Sequence, residues 1–381
     1  MFLKKVSKIL GLLLISGLIA GCAAKEPQIS SDNTSINIEE TLQDPVIEEE
    51  VSEFWIRYID VDQAEAALVC SDGQYMLIDG GNPSDSRKIY SILKSEEVEK
   101  LDIVIASHPH QDHVGGLSAA YQAADIERIL SPVNYYDGDA FYDLIKYVKL
   151  YGGSLEVPKI GDTYKLGAAT IEILGLNADD KINNSSIICK ITYGDTSFVF
   201  TGDAEYEAEI AAVESGMDLS ADVLKVSHHG SDTSSSYRFI REVMPKAAII
   251  SVGAENEYGH PTETTLSRLS DAECEIYRTD LHGDITVHSD GTNIRIETQK
   301  EASYEEIMTP GEAINGAISD AEGVDSSEIE ANYVCNEGSR KFHIPTCESV
   351  EKMHEKNKRY FEGTREELIS MKYEPCGACK P

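Results

Sequence analysis

Positive charge is scarce in this chain. Its 381 residues carry 33 Lys and Arg against 67 Asp and Glu, a formal net charge of −34 at pH 7 with histidine neutral. Coating duplex DNA through a broad basic face needs many Lys and Arg contacts to phosphate, so that mode of action is excluded. Any anionic substrate must be captured by local charge, such as a metal. Long apolar runs are missing beyond Ala20. That excludes a polytopic membrane protein and, for this chain alone, a DNA channel. Internal repeats are absent too, and collagen-like and coiled-coil architectures fall with them. What is present, 41% hydrophobic and 26% charged residues, is the composition of a globular protein with a sizeable core. The length allows two or three domains.

The first 22 residues have the layout of a secretory signal: Lys4, Lys5 and Lys8, then an apolar stretch from Ile9 to Ala20, then small residues before Cys22. The run Leu18-Ile19-Ala20-Gly21-Cys22 resembles the lipobox of bacterial lipoproteins. That resemblance implies cleavage before Cys22, a lipid on its thiol, and a protein anchored on the extracellular face of the cell membrane. Residues 23–52 are polar and acidic without apolar periodicity and read as a solvated tether. A second acidic, Gly/Ala/Ser-rich stretch, 299–330, reads as a linker. It divides a core, 53–298, from a small C-terminal piece, 331–381.

Within the core, strand-like and helix-like segments alternate. Phe54 to Ile59, Ala66 to Cys70 and Tyr75 to Ile78 read as strands, Ser84 to Ser95 as a helix after the breaker Asn82-Pro83, and Leu101 to Ala106 as a buried strand. Strands at 171–174, 187–192, 198–200, 223–226, 247–252 and 285–287 follow, with helices at 205–215, 235–243 and 262–270. Two strand-rich halves with interspersed helices predict an α/β fold, a four-layered αββα sandwich.

The chemistry concentrates after the Leu101 strand, in Ser107-His108-Pro109-His110-Gln111-Asp112-His113-Val114-Gly115-Gly116. Three imidazoles and a carboxylate at a strand's end are ligands for Zn²⁺, Mn²⁺ or Fe²⁺. This HxHxDH pattern resembles the metallo-β-lactamase superfamily, and "SHPHQDHVGG" resembles its ComEC-type competence branch. "NNSSIICKITYGDTSFVFTGDAE", "ADVLKVSHHGSDTSSS" and "ISVGAENEYGHP" are similar to that branch in wording and order. The resemblance covers about Phe54 to Ile296.

The resemblance implies two divalent metal ions, with His108, His110 and Asp203 at the first and Asp112, His113, Asp203 and His228 at the second. Asp203 would bridge them. This chain has no histidine between His113 and His228, so the first ion would keep an open position. Asn184 stands in that interval as a contact to substrate or to the ligands. His260 is the first choice for a proton donor, and His229 reads equally as a structural or a catalytic residue. His282 and His288 are expected at the surface, Ser234 to Ser236 as a helix start, and Cys70, Cys189 and Cys274 as buried.

The C-terminal piece has its own constellation, His343-x3-Cys347 and Cys376-x2-Cys379, which resembles a structural tetrahedral zinc site in a small Ada-type module. A piece this small needs such a staple. Cys335 competes as a fourth ligand, and a disulfide is the alternative outside the membrane.

Two cations that activate a shared water and neutralise developing charge suit a phosphodiester. The competence-type wording points to a phosphodiesterase or nuclease acting on external DNA, within a competence machinery. The alternative is a phosphoesterase of cell-wall teichoic acid. A non-catalytic surface-binding lipoprotein ranks below both, because a pure binder has no need of an open metal site.

Overall fold

The computed structural model describes residues 53–312 and most of 332–381. The expected signal, tether and Cys22 lie outside the described residues, as does 313–330 of the linker.

Two mixed sheets face each other. One runs in the order Ile294–Thr298, Ile285–Ser289, Phe54–Tyr58, Ala67–Ser71, Gln74–Ile78, Ile103–Ile105, Ile129–Leu130, Leu155–Glu156. The other runs Glu275–Arg278, Ala247–Ile250, Val223–Lys225, Thr196–Phe200, Ile188–Tyr193, Ala169–Gly175, Thr163–Leu166. Side chains in a strand alternate between faces. Phe54, Ile56 and Tyr58 therefore point inward and meet Ile191, Phe198 and Phe200 in the core between the sheets, where Tyr58 stacks on Phe200 at 5.5 Å.

The residues of opposite parity hold helices on the outer faces. Trp55, Leu68, Leu77 and Val104 take Ser86–Ser95, Leu117–Ala123 and Asp139–Leu150 on one side. Leu174, Val199 and Leu224 take Tyr206–Glu214 and Tyr237–Val243 on the other, with Glu263–Asp271 beside them. The architecture is the αββα sandwich.

Outside the cluster of metal donors, the structure departs from the sequence expectation in three places. His282 is buried, because its Nδ1 accepts the backbone N–H of Arg278 at 3.0 Å, which fixes a short helical turn. Cys274 is half-buried, while Cys70 and Cys189 are buried. The described part of the linker is tied to the core: Arg278 Nη1 donates to the carbonyl of Ile307 at 3.0 Å, and Gly311 N–H donates to that of Pro261 at 3.0 Å. Among the described residues, no helix is long and apolar enough to cross a membrane.

In the C-terminal piece, four strands order as Lys358–Glu362, Asn332–Asn336, Lys341–His343, Glu374–Pro375. Alternation along Asn332–Asn336 separates two small cores. Val334 packs with Cys347 and Cys376, whereas Cys335 packs with Phe342, Leu368 and Tyr373.

Candidate metal centre

The donors stand beyond the C-terminal ends of strands from both sheets. Asp79 follows Gln74–Ile78, His108 follows Ile103–Ile105, Asp203 follows Thr196–Phe200, and His228 and His229 follow Val223–Lys225. His110 opens the short helix Gln111–Val114, which carries Asp112 and His113. The glycines that close this motif are required by contact: a Cβ on Gly116 would stand 1.9 Å from the carbonyl oxygen of Gly80, and one on Gly115 would stand 2.4 Å from Pro83 N. Only bare backbone lets the loop after Asp79 lie against the helix that presents His113.

Asp203 occupies the centre. Its Oδ2 lies 3.6 Å from His108 Nε2 and 3.9 Å from His228 Nε2, and its Oδ1 lies 3.2 Å from His113 Nε2 and 3.7 Å from His229 Nε2. Asp112 Oδ2 completes that side, 3.3 Å from His229 Nε2 and 3.7 Å from His113 Nε2. On the other side His108 Nε2 and His110 Nδ1 are 3.0 Å apart. Donor atoms thus gather in two overlapping sets that share Asp203: His108, His110, Asp203, and Asp112, His113, Asp203, His229.

The second set differs from the sequence expectation, which placed His228 there. Both histidines have left-handed backbones, His228 at φ 49° and His229 at φ 53°. Such conformations cost about 1–3 kcal/mol each in a residue with a Cβ and persist where the surroundings enforce them. The turn sends His229 toward Asp112, with its Nδ1 held by the carbonyl of Ser251 at 2.9 Å. His228 is left beside the first set, its Nδ1 3.2 Å from Thr233 Oγ1.

The donor set fits a cation. His113 Nε2, Asp203 Oδ1 and His229 Nε2 are buried without a hydrogen-bond partner, and they face one another. Burial, then the neighbouring imidazolium of His113, holds His108 well below the usual histidine range, and burial lowers His110, so both present neutral nitrogens. Burial opposes ionisation of Asp203 and Asp112, but the surrounding imidazoles outweigh it, led by His113, and both stay well below the usual carboxylate range. Burial likewise opposes charge on His113, yet Asp203, Asp79 and Asp112 together push it well above its ordinary value. That concentration of carboxylates around one imidazole is a negative potential that a divalent cation would answer.

Asp79 was not singled out from the sequence. It is fully buried, its Oδ2 2.8 Å from His113 Nδ1 and 2.6 Å from Ser107 Oγ, and its Oδ1 accepts Ser107 N–H at 2.8 Å. This carboxylate orients the imidazole behind the site. Its one sequence signal is an Asp ending an apolar strand directly before Gly80-Gly81.

Asn184 is buried with its amide engaged away from the donors: Nδ2 donates to Asp179 at 2.9 Å, and Oδ1 accepts Glu205 N–H at 2.9 Å. It clamps the turn after Asp203. His260 borders the cleft, its ring 5.7 Å from that of His228 and stacked on Tyr258 at 5.5 Å. Ser236 caps Tyr237–Val243, accepting Phe239 N–H at 3.3 Å, as a helix start should.

The donors open onto a cleft of about 1170 Å³. Carboxylates dominate its wall: Asp112, Asp139, Asp203, Glu205 and Glu207 stand against Lys181, which is itself paired with Glu205 at 3.1 Å. Tyr136, Tyr206 and Tyr258 add aromatic rim.

In the tail, His343, Cys347, Cys376 and Cys379 bring their donor atoms within 4.8 Å of one another, and none of these cysteines is in a disulfide. His343 Nδ1 is buried without a hydrogen-bond partner, and burial lowers its pKa, which leaves the ring neutral. Cys335 lies across the strand from this set.

The sequence pattern described as "Metallo-beta-lactamase superfamily" matches residues 59–254. The chain is 29% identical over 254 residues to ComE operon protein 3 of Bacillus subtilis, covering 61% of this chain and 33% of that protein. It is 29% identical over 226 residues to competence protein ComA of Neisseria gonorrhoeae, covering 59% and 30%. The chain thus spans about a third of the length of these relatives. Among solved structures it is similar to the metallo-β-lactamase fold protein YhfI of Bacillus subtilis, at 16% identity, TM-score 0.44, and coverage of 62% of this chain and all of that one.

Proposed function

Because the chain belongs to the metallo-β-lactamase superfamily, we propose that its core is a two-metal phosphodiesterase acting on DNA outside the cell, held at the membrane through a lipid on Cys22. The superfamily membership makes it a metal-dependent hydrolase related to competence proteins. The observation that carries the two-metal reading is the pair of donor sets sharing Asp203, the second of which holds three buried donor atoms without a hydrogen-bond partner.

His108, His110 and Asp203 would hold one ion, and Asp112, His113, Asp203 and His229 the other, zinc or manganese by donor type. Such ions supply an activated water and neutralise charge developing on phosphoryl oxygens. The chain's own residues do the rest. Asp79 and the Ser251 carbonyl fix the rings of His113 and His229. His260 borders the cleft next to His228 and is positioned to give a proton to the departing alkoxide. Asn184 holds Glu205 and Glu207 at the cleft's edge, which keeps Lys181 there.

A cell-wall phosphodiester such as teichoic acid is the second reading, because the two donor sets act on the phosphodiester group that both polymers carry. The test is metal-loaded protein on bis(p-nitrophenyl) phosphate, single-stranded DNA, poly(glycerol phosphate), and a lactone and thioester pair. Diester cleavage that slows on the order of 10²-fold in His260→Ala while bound metal is kept supports the reading. Hydrolysis of the lactone or thioester alone overturns it.

A further inference from the structure

A second cavity, about 920 Å³, lies between the core and the C-terminal piece. Among the described residues its lining is opposite in charge to that of the cleft: Arg238, Arg241, Arg268 and Lys352 stand against Asp232. In a chain of net charge −34, four cations gathered in one groove are a distinct local feature, even with Arg238 and Arg241 paired to Glu214 and Glu242. The two cavities share Tyr206 and Thr233. Thr233 Oγ1 is 3.2 Å from His228 Nδ1, so the basic groove begins one hydrogen bond from the metal centre's edge.

The groove is held in place from both sides. Arg268 Nη1 donates to the carbonyls of Asp232 at 3.2 Å and Ser234 at 2.8 Å, which fixes its guanidinium on the floor. Arg365 of the tail pairs with Asp271 of the core at 2.7 Å, and the same carboxylate accepts Tyr237 Oη–H at 2.6 Å. Arg238 meets Glu214 at 3.3 Å and Arg241 meets Glu242 at 3.5 Å, all on exposed side chains. Surface pairs of this kind are worth little, and an incoming phosphate can replace the carboxylate.

We propose that this groove is an exosite for single-stranded nucleic acid, in which a strand engaged at the metal centre continues past Tyr206 and lays its phosphates along Arg238, Arg241, Arg268 and Lys352. The proposal rests on the phosphodiesterase reading and gives the C-terminal piece a part in substrate selection. The acidic cleft accepts the scissile phosphate through its metals, and the adjoining groove holds the flanking ones. Tyr206, 54% exposed at the junction, selects a nucleic acid over a poly(glycerol phosphate), because every base has a face to stack on an aromatic ring and a glycerol unit has none.

The test uses the full-length, metal-loaded protein and a fluorescein-labelled phosphorothioate oligo(dT) of about 20 nucleotides, longer than the ~4–16 a strand-binding groove engages. Binding is read by anisotropy across a salt series. The exosite predicts that Arg238→Glu/Arg241→Glu weakens binding on the order of 10-fold and lowers the slope of log affinity against log salt by about 1.4. Arg238→Lys/Arg241→Lys restores most of the affinity, which separates lost charge from lost fold. The proposal is overturned by a reversal variant that binds like wild type, by wild-type protein that binds poly(glycerol phosphate) but not the oligonucleotide, or by one that binds neither. Cleavage of bis(p-nitrophenyl) phosphate, measured in parallel, judges the enzyme separately. Binding through Arg238 and Arg241 without any diester cleavage sinks the phosphodiesterase reading and leaves the groove standing.

Discussion

The core and the tail both gather metal donors, but from different chemistry and by different routes. In the core, imidazoles and carboxylates arrive from the ends of strands in two facing sheets, and Asp79 and the Ser251 carbonyl stand behind them. In the tail, three thiols and one imidazole come from one hairpin and a C-terminal turn. The core set opens on a cleft of about 1170 Å³ walled by carboxylates, while in the tail His343, Cys347 and Cys376 are buried, Cys379 is half-buried, and Cys347 and Cys379 edge the basic groove. Borderline nitrogen and hard oxygen donors with an open side suit a reacting metal, and a closed thiolate set suits a structural one. The difference lies in what supports each set. The sandwich folds around its own large core and presents ligands as a by-product of strand ends. The tail has only two small cores, which a metal held by His343, Cys347, Cys376 and Cys379 would staple.

The largest expected effect breaks the core alone. Asp203 belongs to both donor sets, so Asp203→Ala should reduce turnover on bis(p-nitrophenyl) phosphate on the order of 10³-fold or more and cut the core's bound metal. Metal analysis should still find the tail's zinc. Loss of both together would mean that the two regions are not independent.

The reverse experiment is Cys376→Ser. It should release the tail's zinc and unfold that piece while small-diester turnover stays within about twofold, since no tail residue belongs to either core donor set and a small diester does not reach the groove. Burial and then the neighbouring Cys347 and Cys376 thiols push the Cys379 thiol well above its ordinary value, so the bound metal must displace a proton. Zinc affinity of the tail should therefore fall as pH falls, read by competition with a chromophoric chelator. A tail that stays folded in chelator under reducing conditions would remove the structural-metal account.

What could be read from the residues, and what could not, follows the same division. The strands of the sandwich were legible because apolar runs are written locally: Phe54, Ile56 and Tyr58 take one face and Trp55 the other, both buried, whatever they eventually meet. HxHxDH was legible because its four donor residues fall in one short window. The choice between His228 and His229 was not, since adjacent histidines differ only in where a left-handed turn points them. Asp79 was not, because its partner lies 34 residues away and they meet only through long-range contacts, the packing of Gly80 on Gly116 and the hydrogen bond from Gly80 N–H to the carbonyl of His113 among them. The competition between Cys335 and His343 turned on which face of a strand each occupied, a register that exists only once the hairpin forms. The basic groove has no linear signature at all. Its arginines sit on two core helices and its lysine on the tail.

The smallest effect tests whether the residue behind the core site tunes the metal, and it has no counterpart in the tail. Asp79 Oδ2 takes hydrogen bonds from both Ser107 Oγ, at 2.6 Å, and His113 Nδ1, at 2.8 Å. Asp79→Asn keeps the shape and, with its oxygen in place of Oδ1, keeps the bond from Ser107 N–H. An amide NH₂ then faces two former donors. Ser107 can turn its hydroxyl, but His113 can relieve the clash only by moving its proton from Nδ1 to Nε2, the atom that faces Asp203. That tautomer has no lone pair to give a metal, so core affinity should fall about 10- to 100-fold. Turnover should recover in part as metal is raised, which distinguishes weakened binding from damaged chemistry. The tail's zinc should not respond. A metal titration of the core that matches wild type would reduce Asp79 to a packing role and leave the imidazoles to hold themselves.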